Sequence, residues 1–520
     1  MKYKIFNYIT VFFSVAVLTT SCVDNEDLLQ VDPNVETAAS FWKTDEDAIA
    51  GINAAYSSLL TDGTYMRSTP LLLDARSDDA RTNSPWGSMY NAGRFNSNVA
   101  DAAIYGWAYE TYYQGIYRAN QVLANVPNIA MTNAGLKNRI LGQAYFLRGL
   151  YLFHAVNMFK NVPVPTDIAV KYPQKTEAEG WAQVIADFAA AAELLPTSYA
   201  SVSGLDSGEA GRATKGAALG YLGKAYLFTK DFDKAKTTFK QVIDLGVYAL
   251  VSNYRDNFTT ANENNSESLF EVQMSREAGG VALGWGGIPA SNWGKTSARA
   301  ITYAPRGFGW TDVQPSHILF NEFHEEKTKS GDLDPRLDAT IFYNKPGGMK
   351  LYGQDFATYY AKSPADLNDI FCRKYQNSDG EFESEMDWRS GINERLLRYA
   401  DILLMYAETL NETGDTPGAY GYIQMVRNRV GLPDLATTKP GMNQDQMREQ
   451  IGHERFLEFP LEGHRFDDIR RWGWLQNAAK LAWLKSRDAE FNSYAPGREY
   501  YPIPQLEMDN NPGTKQNDSY

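Results

Sequence analysis

The chain has 520 residues, 43% hydrophobic and 22% charged, which is the composition of a folded globular protein and excludes disorder for the bulk of it. Lys plus Arg number 50 against 63 Asp plus Glu, a net charge of −13 that argues against a nucleic-acid partner, because phosphate binding needs a basic face. Two cysteines, Cys22 and Cys372, leave no disulfide framework, and the unusual figure is the 13% of aromatic residues.

The N-terminus reads as an address. Lys2 and Lys4 precede an apolar run over residues 5–18, shorter than a membrane span of roughly 20 residues but suited to a secretory signal. The run ends in Leu18-Thr19-Thr20-Ser21-Cys22, which resembles the lipobox of bacterial lipoproteins, so residues 1–21 are expected to be removed and Cys22 acylated. Residues 23–27 are mostly acidic and resemble the export tag of surface lipoproteins in Bacteroidetes-type bacteria. Residues 22–40 then form a tether. The organisation expected beyond it is a helical part over 41–250 and a C-terminal part over 251–520.

From Thr44 onward helical periodicity dominates. Asp45, Glu46 and Asp47 open a helix, since acids in the first turn suit its dipole. Further helices are predicted near 101–125, 136–159, 176–195, 212–229, 232–245, 393–413, 416–430, 443–459 and 463–484. A tetratricopeptide-like pattern runs through them. Leu219, Leu222, Gly223 and Tyr226 fit the first helix of such a unit, and Ala235 and Phe239 fit the second, with small residues where the paired helices touch. A looser copy places Leu403, Ala407, Asp415 and Ala419 at equivalent points; a split copy uses residues 140–158 with Phe188, Ala191 and Pro196. The fold class is therefore mainly α, a scaffold of helical hairpins. Between about 251 and 390 the texture changes to glycines, aromatics and turn signals, an irregular region with short strands. Hairpin stacks leave insertions as loops on one face, so function is expected in this loop-rich region.

Signatures of catalysis are scarce: no metalloprotease, nucleophile-elbow, dinucleotide or phosphate-loop motif occurs. Neither a cofactor nor a metal is expected. His453 and His464 lie among Glu454, Arg455, Glu458, Arg465, Asp468 and Arg471, a density of both signs that reads as an ion-pair network between helices. Acidic clusters at Asp74, Asp78 and Asp79 and at Glu381, Glu383 and Glu385 are the chance clusters of an acidic chain rather than a glycosidase pair. Residues 377–381 have a faint likeness to a calcium loop without its closing Glu.

The tryptophans say more. Trp42, Trp107, Trp181, Trp388, Trp472, Trp474 and Trp483 lie in or beside helical segments and read as core. Trp86, Trp285, Trp293 and Trp310 sit in loop-like surroundings rich in Gly, Asn, Ser and Pro. A ring flanked by glycine is not ordered by its neighbours: it packs beneath its loop or offers a face to a ligand. Exposed rings stack on apolar sugar faces, with Asn, Arg and Tyr bonding the hydroxyls, and a peptide could use the same surface. The candidate ligand-binding set is Asn83, Trp86, Tyr90, Trp285, Asn292, Trp293 and Trp310; no catalytic or metal-ligating residue joins it.

Seven blocks, in order, make the chain resemble the SusD/RagB family of lipoproteins. They are Phe41-Trp42-Lys43-Thr44 with Asp47-Ala48; residues 107–120; residues 144–165; Gly211-Arg212-Ala213-Thr214-Lys215; residues 398–412; the run from Glu454 through Gly463-His464-Arg465 to Arg470-Arg471-Trp472-Gly473; and Tyr501-Pro502-Ile503-Pro504-Gln505 with Gln516-Asn517. The resemblance implies a lipid-anchored protein on the outer face of the outer membrane. It would bind oligosaccharides, or in some members peptides, without breaking a bond, and act as a lid over a SusC-like TonB-dependent transporter. In that family the blocks are scaffold and the ligand residues vary in loops. One departure is the charge of Asn393-Glu394-Arg395 ahead of Arg398.

Overall fold

A computed structural model describes residues 41–169, 171–277, 295–380 and 382–520. Cys22, Trp285, Asn292 and Trp293 lie outside the described residues. The longer helices are α1 (Asp45–Ser57), α2 (Ala103–Asn125), α3 (Ala134–Phe159), α4 (Glu177–Leu194), α5 (Lys215–Phe228), α6 (Phe232–Asp244), α7 (Tyr399–Glu412), α8 (Thr416–Arg429), α9 (Gln444–Glu458) and α10 (Ala478–Arg487). Local chemistry sets their starts. Thr44 and Asp47 form a reciprocal capping box on α1, as do Thr176 and Glu179 on α4 and Asn443 and Gln446 on α9.

The helices stack as neighbours: α2 on α3, α3 on α4, α4 on α5, α5 on α6, α6 on α7 and α7 on α8. Helix α3 is buried on every side, which explains its lack of a polar stripe. The α5–α6 hairpin forms as its pattern predicts. Gly223 lies so close to Phe239 that a Cβ on it would come within 2.5 Å of the ring. Ala235 and Ala419 are fully buried at the equivalent contacts of the two hairpins.

Two helical expectations are corrected. Residues 393–413 do not form one helix: Glu394–Arg398 is a strand, β4, paired antiparallel with β2 (Ser268–Val272), and α7 begins only at Tyr399. The charge noted there has a physical reason. On this strand Glu394 pairs with Arg299, and Arg395 lies 3.4 Å from Glu271. The helix expected over 463–484 is broken into Arg465–Arg471 and α10, because Gly473 adopts a left-handed φ of 70° and the chain turns between them.

Among the other strands, β1 (Ala80–Thr82) pairs antiparallel with β3 (Val313–Pro315), so that Thr82 faces Val313. The described residues between 251 and 390 are otherwise loops, short helices and two-residue strand pairs. One hydrophobic core runs from Ala48 to Ile503 and draws on both sides of residue 250; Phe146 of α3, for instance, meets Phe270 of β2 edge to face at 4.8 Å. No helix among the described residues is long and apolar enough to cross a membrane.

The expected ion-pair network exists and is larger than its sequence block. Arg455 bridges Asp401 and Asp468 at 2.6 and 2.7 Å, and Arg465 grips Asp78 at 2.6 Å. Buried Arg398 joins Glu267, Glu458 and Glu462. Glu454 is held by Arg336 and Arg427 at 2.7 and 3.1 Å. His464, wholly buried, is pushed down to about 3, chiefly by desolvation and then by Lys224 beside it, and so stays neutral.

Candidate functional site

The pairing of β1 with β3 brings the 83–93 segment against the 306–312 turn. Asn83 donates its backbone N–H to Asp312 O at 2.9 Å, and its side-chain amide donates to Gln314. Trp86, whose N–H is received by Ser84 Oγ at 3.1 Å, immediately precedes a short helix, Gly87–Gly93. The Trp86 indole is half-buried and lies against Trp107 of α2, with ring centres 5.5 Å apart. Tyr90, one turn further along, is 44% exposed, and the Arg94 guanidinium sits 3.6 Å over its ring.

Beneath these rings runs the 61–67 turn. Asp62 takes the Arg67 guanidinium at both oxygens, 2.7 and 2.5 Å, and holds it 5.2 Å from the Trp86 ring and 5.9 Å from Trp107. The turn rests directly on α2: a Cβ on Gly63 would come within 2.3 Å of Trp107 O, so only glycine lets it sit there. Burial raises the Asp62 carboxyl while Arg67 opposes the shift. Asp312 is likewise raised by burial, against a hydrogen bond from Ser84 and the charge of Arg67.

On the other side of the turn, Met66 packs with Ala298 and Ile301 beneath a second indole pair, Trp310 and Trp388, edge to face at 5.2 Å. Trp310 is tied by its N–H to Ile301 O at 2.8 Å, and Trp388 adopts a φ of 64°, uncommon for a bulky residue. Both rings are half-buried, and Met386 beside them is 49% exposed. The described chain stops at Glu277 and resumes at Lys295 close by: Ser275 N–H reaches Lys295 O at 2.7 Å, and Arg276 pairs with Asp387.

Trp86 and Trp310 thus flank one turn, with Asn83 and Tyr90 on the segment that carries Trp86; Trp285, Asn292 and Trp293 fall outside the described residues. Sequence reading missed Arg67, Trp107 and Trp388. The last two were expected in the core, but both are half-buried. A Trp in a helical period carries no signal of which ring edge stays open, and Arg67 has no motif. Trp472 and Trp474, also expected as core, are half-buried, and Trp483 is 37% exposed.

The alternative chemistries fare differently. Asp74, Asp78 and Asp79 are buried and engaged, by Arg299 and Tyr303, by Arg465, and by Ser77 and the Leu461 N–H respectively. Glu385 is buried and accepts hydrogen bonds from Asn377 and Tyr352. Asp379 is taken by Arg255 and Arg373. Among the described residues no cluster of His, Cys, Asp and Glu could hold a metal. Cys372 is buried, its thiol pushed up to about 12 by burial, which disfavours the reactive thiolate.

Residues 266–520 match the SusD family, and residues 43–227 match a second family described as starch-binding associating with outer membrane. SusD-like protein P25 of Formosa agariphila is 25% identical over 99% of this chain and 99% of its own length. A SusD superfamily protein from Bacteroides vulgatus has a crystal structure that matches with a TM-score of 0.80 at 27% identity, covering 92% of this chain and 100% of that one. Surface glycan-binding protein A from Bacteroides fluxus matches with a TM-score of 0.73 at 25% identity, again over 92% and 100%. With the hairpin stack, the sequence blocks and these relatives in agreement, the chain belongs to the SusD/RagB family.

Proposed function

We propose that the protein is a cell-surface glycan-binding lipoprotein that captures oligosaccharide and passes it, unchanged, to a SusC-like TonB-dependent transporter. The observation that carries the reading is the grouping of two half-exposed indole pairs, Trp86–Trp107 and Trp310–Trp388, on either side of Met66 and Arg67. Such a surface offers flat apolar faces for sugar rings, while Asn83 and Tyr90 stand beside it for the hydroxyls. The likeness to a surface glycan-binding protein and to a starch-binding family supports the ligand class. Trp285, Asn292 and Trp293, which lie outside the described residues, complete the proposed ligand-binding set. Acylation at Cys22 anchors the protein to the outer membrane, facing outward.

Calorimetry against hexasaccharides of glucose, mannose and xylose tests this. Saturable binding with no released reducing ends is expected, and Trp86→Ala or Trp310→Ala weakens it about tenfold or more, equivalent to about 1.4 kcal/mol. Binding of peptides alone would move the ligand class, and release of reducing ends would replace capture by hydrolysis.

A further inference from the structure

We propose a second saccharide-binding surface on the C-terminal helices, built by Trp472, Trp474 and Trp483; it stands independently of the Trp86–Trp310 reading. The three indoles form a row along the outer side of α9. Trp472 and Trp474 are 5.1 Å apart and tilted, and Trp474 and Trp483 meet edge to face at 5.5 Å. The break at Gly473 makes the row, because it turns the chain so that rings before and after it fall side by side.

Two grooves flank the row and share Trp474 and Glu449 as a common wall. One holds about 520 Å³ between Trp483, Phe456 and His453; the other about 450 Å³ beside Trp472 and Lys480. Volumes of this size suit a ligand of several rings. The walls carry charge, and most of it is paired. Arg487 and His453 hold Glu322 at 2.5 and 3.1 Å, Lys480 holds Glu449 at 2.5 Å, and Arg465 is bound to Asp78 behind the groove. A lining whose charges are mostly paired favours an uncharged guest over an anion. Indole rings beside grooves of this size, with most of the lining charge paired, describe a site for a neutral, hydroxyl-rich chain.

The test uses full-length protein carrying ¹⁵N-labelled tryptophan, with the three indole N–H resonances assigned through Trp472→Phe, Trp474→Phe and Trp483→Phe. Laminarihexaose, maltohexaose, xylohexaose and mannohexaose are titrated into the wild type and into a Trp86→Ala, Trp310→Ala double variant. At least one saccharide is expected to shift the Trp474 and Trp483 resonances saturably in both proteins. In the double variant Trp483→Ala should weaken that binding about fivefold or more, and Trp483→Phe, which keeps a ring, should weaken it less. The proposal is overturned if none of the four saccharides moves these resonances, or if their shifts vanish with Trp86 and Trp310, which would make them an echo of the first site. Movement by peptides alone would also overturn it. Failure of the first site would appear elsewhere, as unmoved Trp86 and Trp310 signals.

Discussion

His154 shows how a single buried residue contributes to the behaviour of this protein toward acid. It lies in the C-terminal part of α3, stacked on Tyr112 at 5.5 Å and hydrogen-bonded to Tyr65. Burial is the first cause, and the nearby Lys224 charge the second, of a pKa depressed to about 3. The unfolded chain, with its imidazole near 6.5, takes up a proton that the folded chain refuses. At this residue the unfolded state therefore binds more protons below about 6.5, and the stability that His154 contributes falls as pH falls toward 3. Replacing His154 by Phe keeps the ring and removes the proton. Urea unfolding at a series of pH values should show a shallower loss of stability for His154→Phe than for the wild type. The difference approaches about 1.4 kcal/mol per pH unit between pH 6 and pH 4. Equal slopes would mean that His154 is not held neutral. His464, depressed to about 3 as well, acts in the same direction and remains in the variant.

At the level of elements, the α5–α6 hairpin depends on the absence of a side chain at position 223. A methyl group there would meet Phe239, which is fully buried on the facing helix, at 2.5 Å. Gly223→Ala gains helix propensity of about 1 kcal/mol but forces the pair apart, and overpacking of this kind costs about 1–3 kcal/mol. A net loss of stability is expected in thermal unfolding; a rise would show that the hairpin can yield. The same hairpin was legible in sequence because its determinants are local: small residues at fixed spacing, and Asp231 capping the second helix. Helix starts at Thr44 and Thr176 were legible for that reason too. The β4 strand was not. Glu394–Arg398 has the composition of a helix start, and its strand state comes from pairing with β2 more than a hundred residues earlier, with Glu394 and Arg395 taking partners at Arg299 and Glu271. The site divides along the same line. Loop tryptophans stood out against their glycines, whereas the half-exposed faces of Trp107 and Trp388 depend on what packs beside them. Gly63 belongs to this second kind. Its backbone touches α2, and Gly63→Ala should lift the 61–67 turn, displace Arg67 and weaken saccharide binding even though residue 63 touches no ligand; calorimetry on a variant with an unchanged circular-dichroism spectrum checks it.

On the scale of the whole molecule, the helical N-terminal half and the loop-rich C-terminal half are joined twice over. The hydrophobic core is continuous across residue 250, and buried charges bridge it: Arg299 reaches both Asp74 and Glu394, and Arg465 reaches Asp78. Arg398 sits where three carboxylates converge, with Glu458 and Glu462 at 3.0 and 2.7 Å and Glu267 closer still. Removing its charge leaves those carboxylates facing one another and the nearby Arg429 and Lys374, without the guanidinium that joins them. Breaking a buried pair in this way costs about 3–5 kcal/mol. Arg398→Met should therefore lower the melting temperature markedly. Because the network and the core both cross between the halves, wild type and variant should each unfold in one calorimetric transition, with the calorimetric and van't Hoff enthalpies in agreement. Two separated transitions in either protein would mean that the halves are independent domains. A single transition, together with unaltered saccharide affinity in Arg398→Met below its melting point, fits a rigid frame that carries its binding surface without taking part in it.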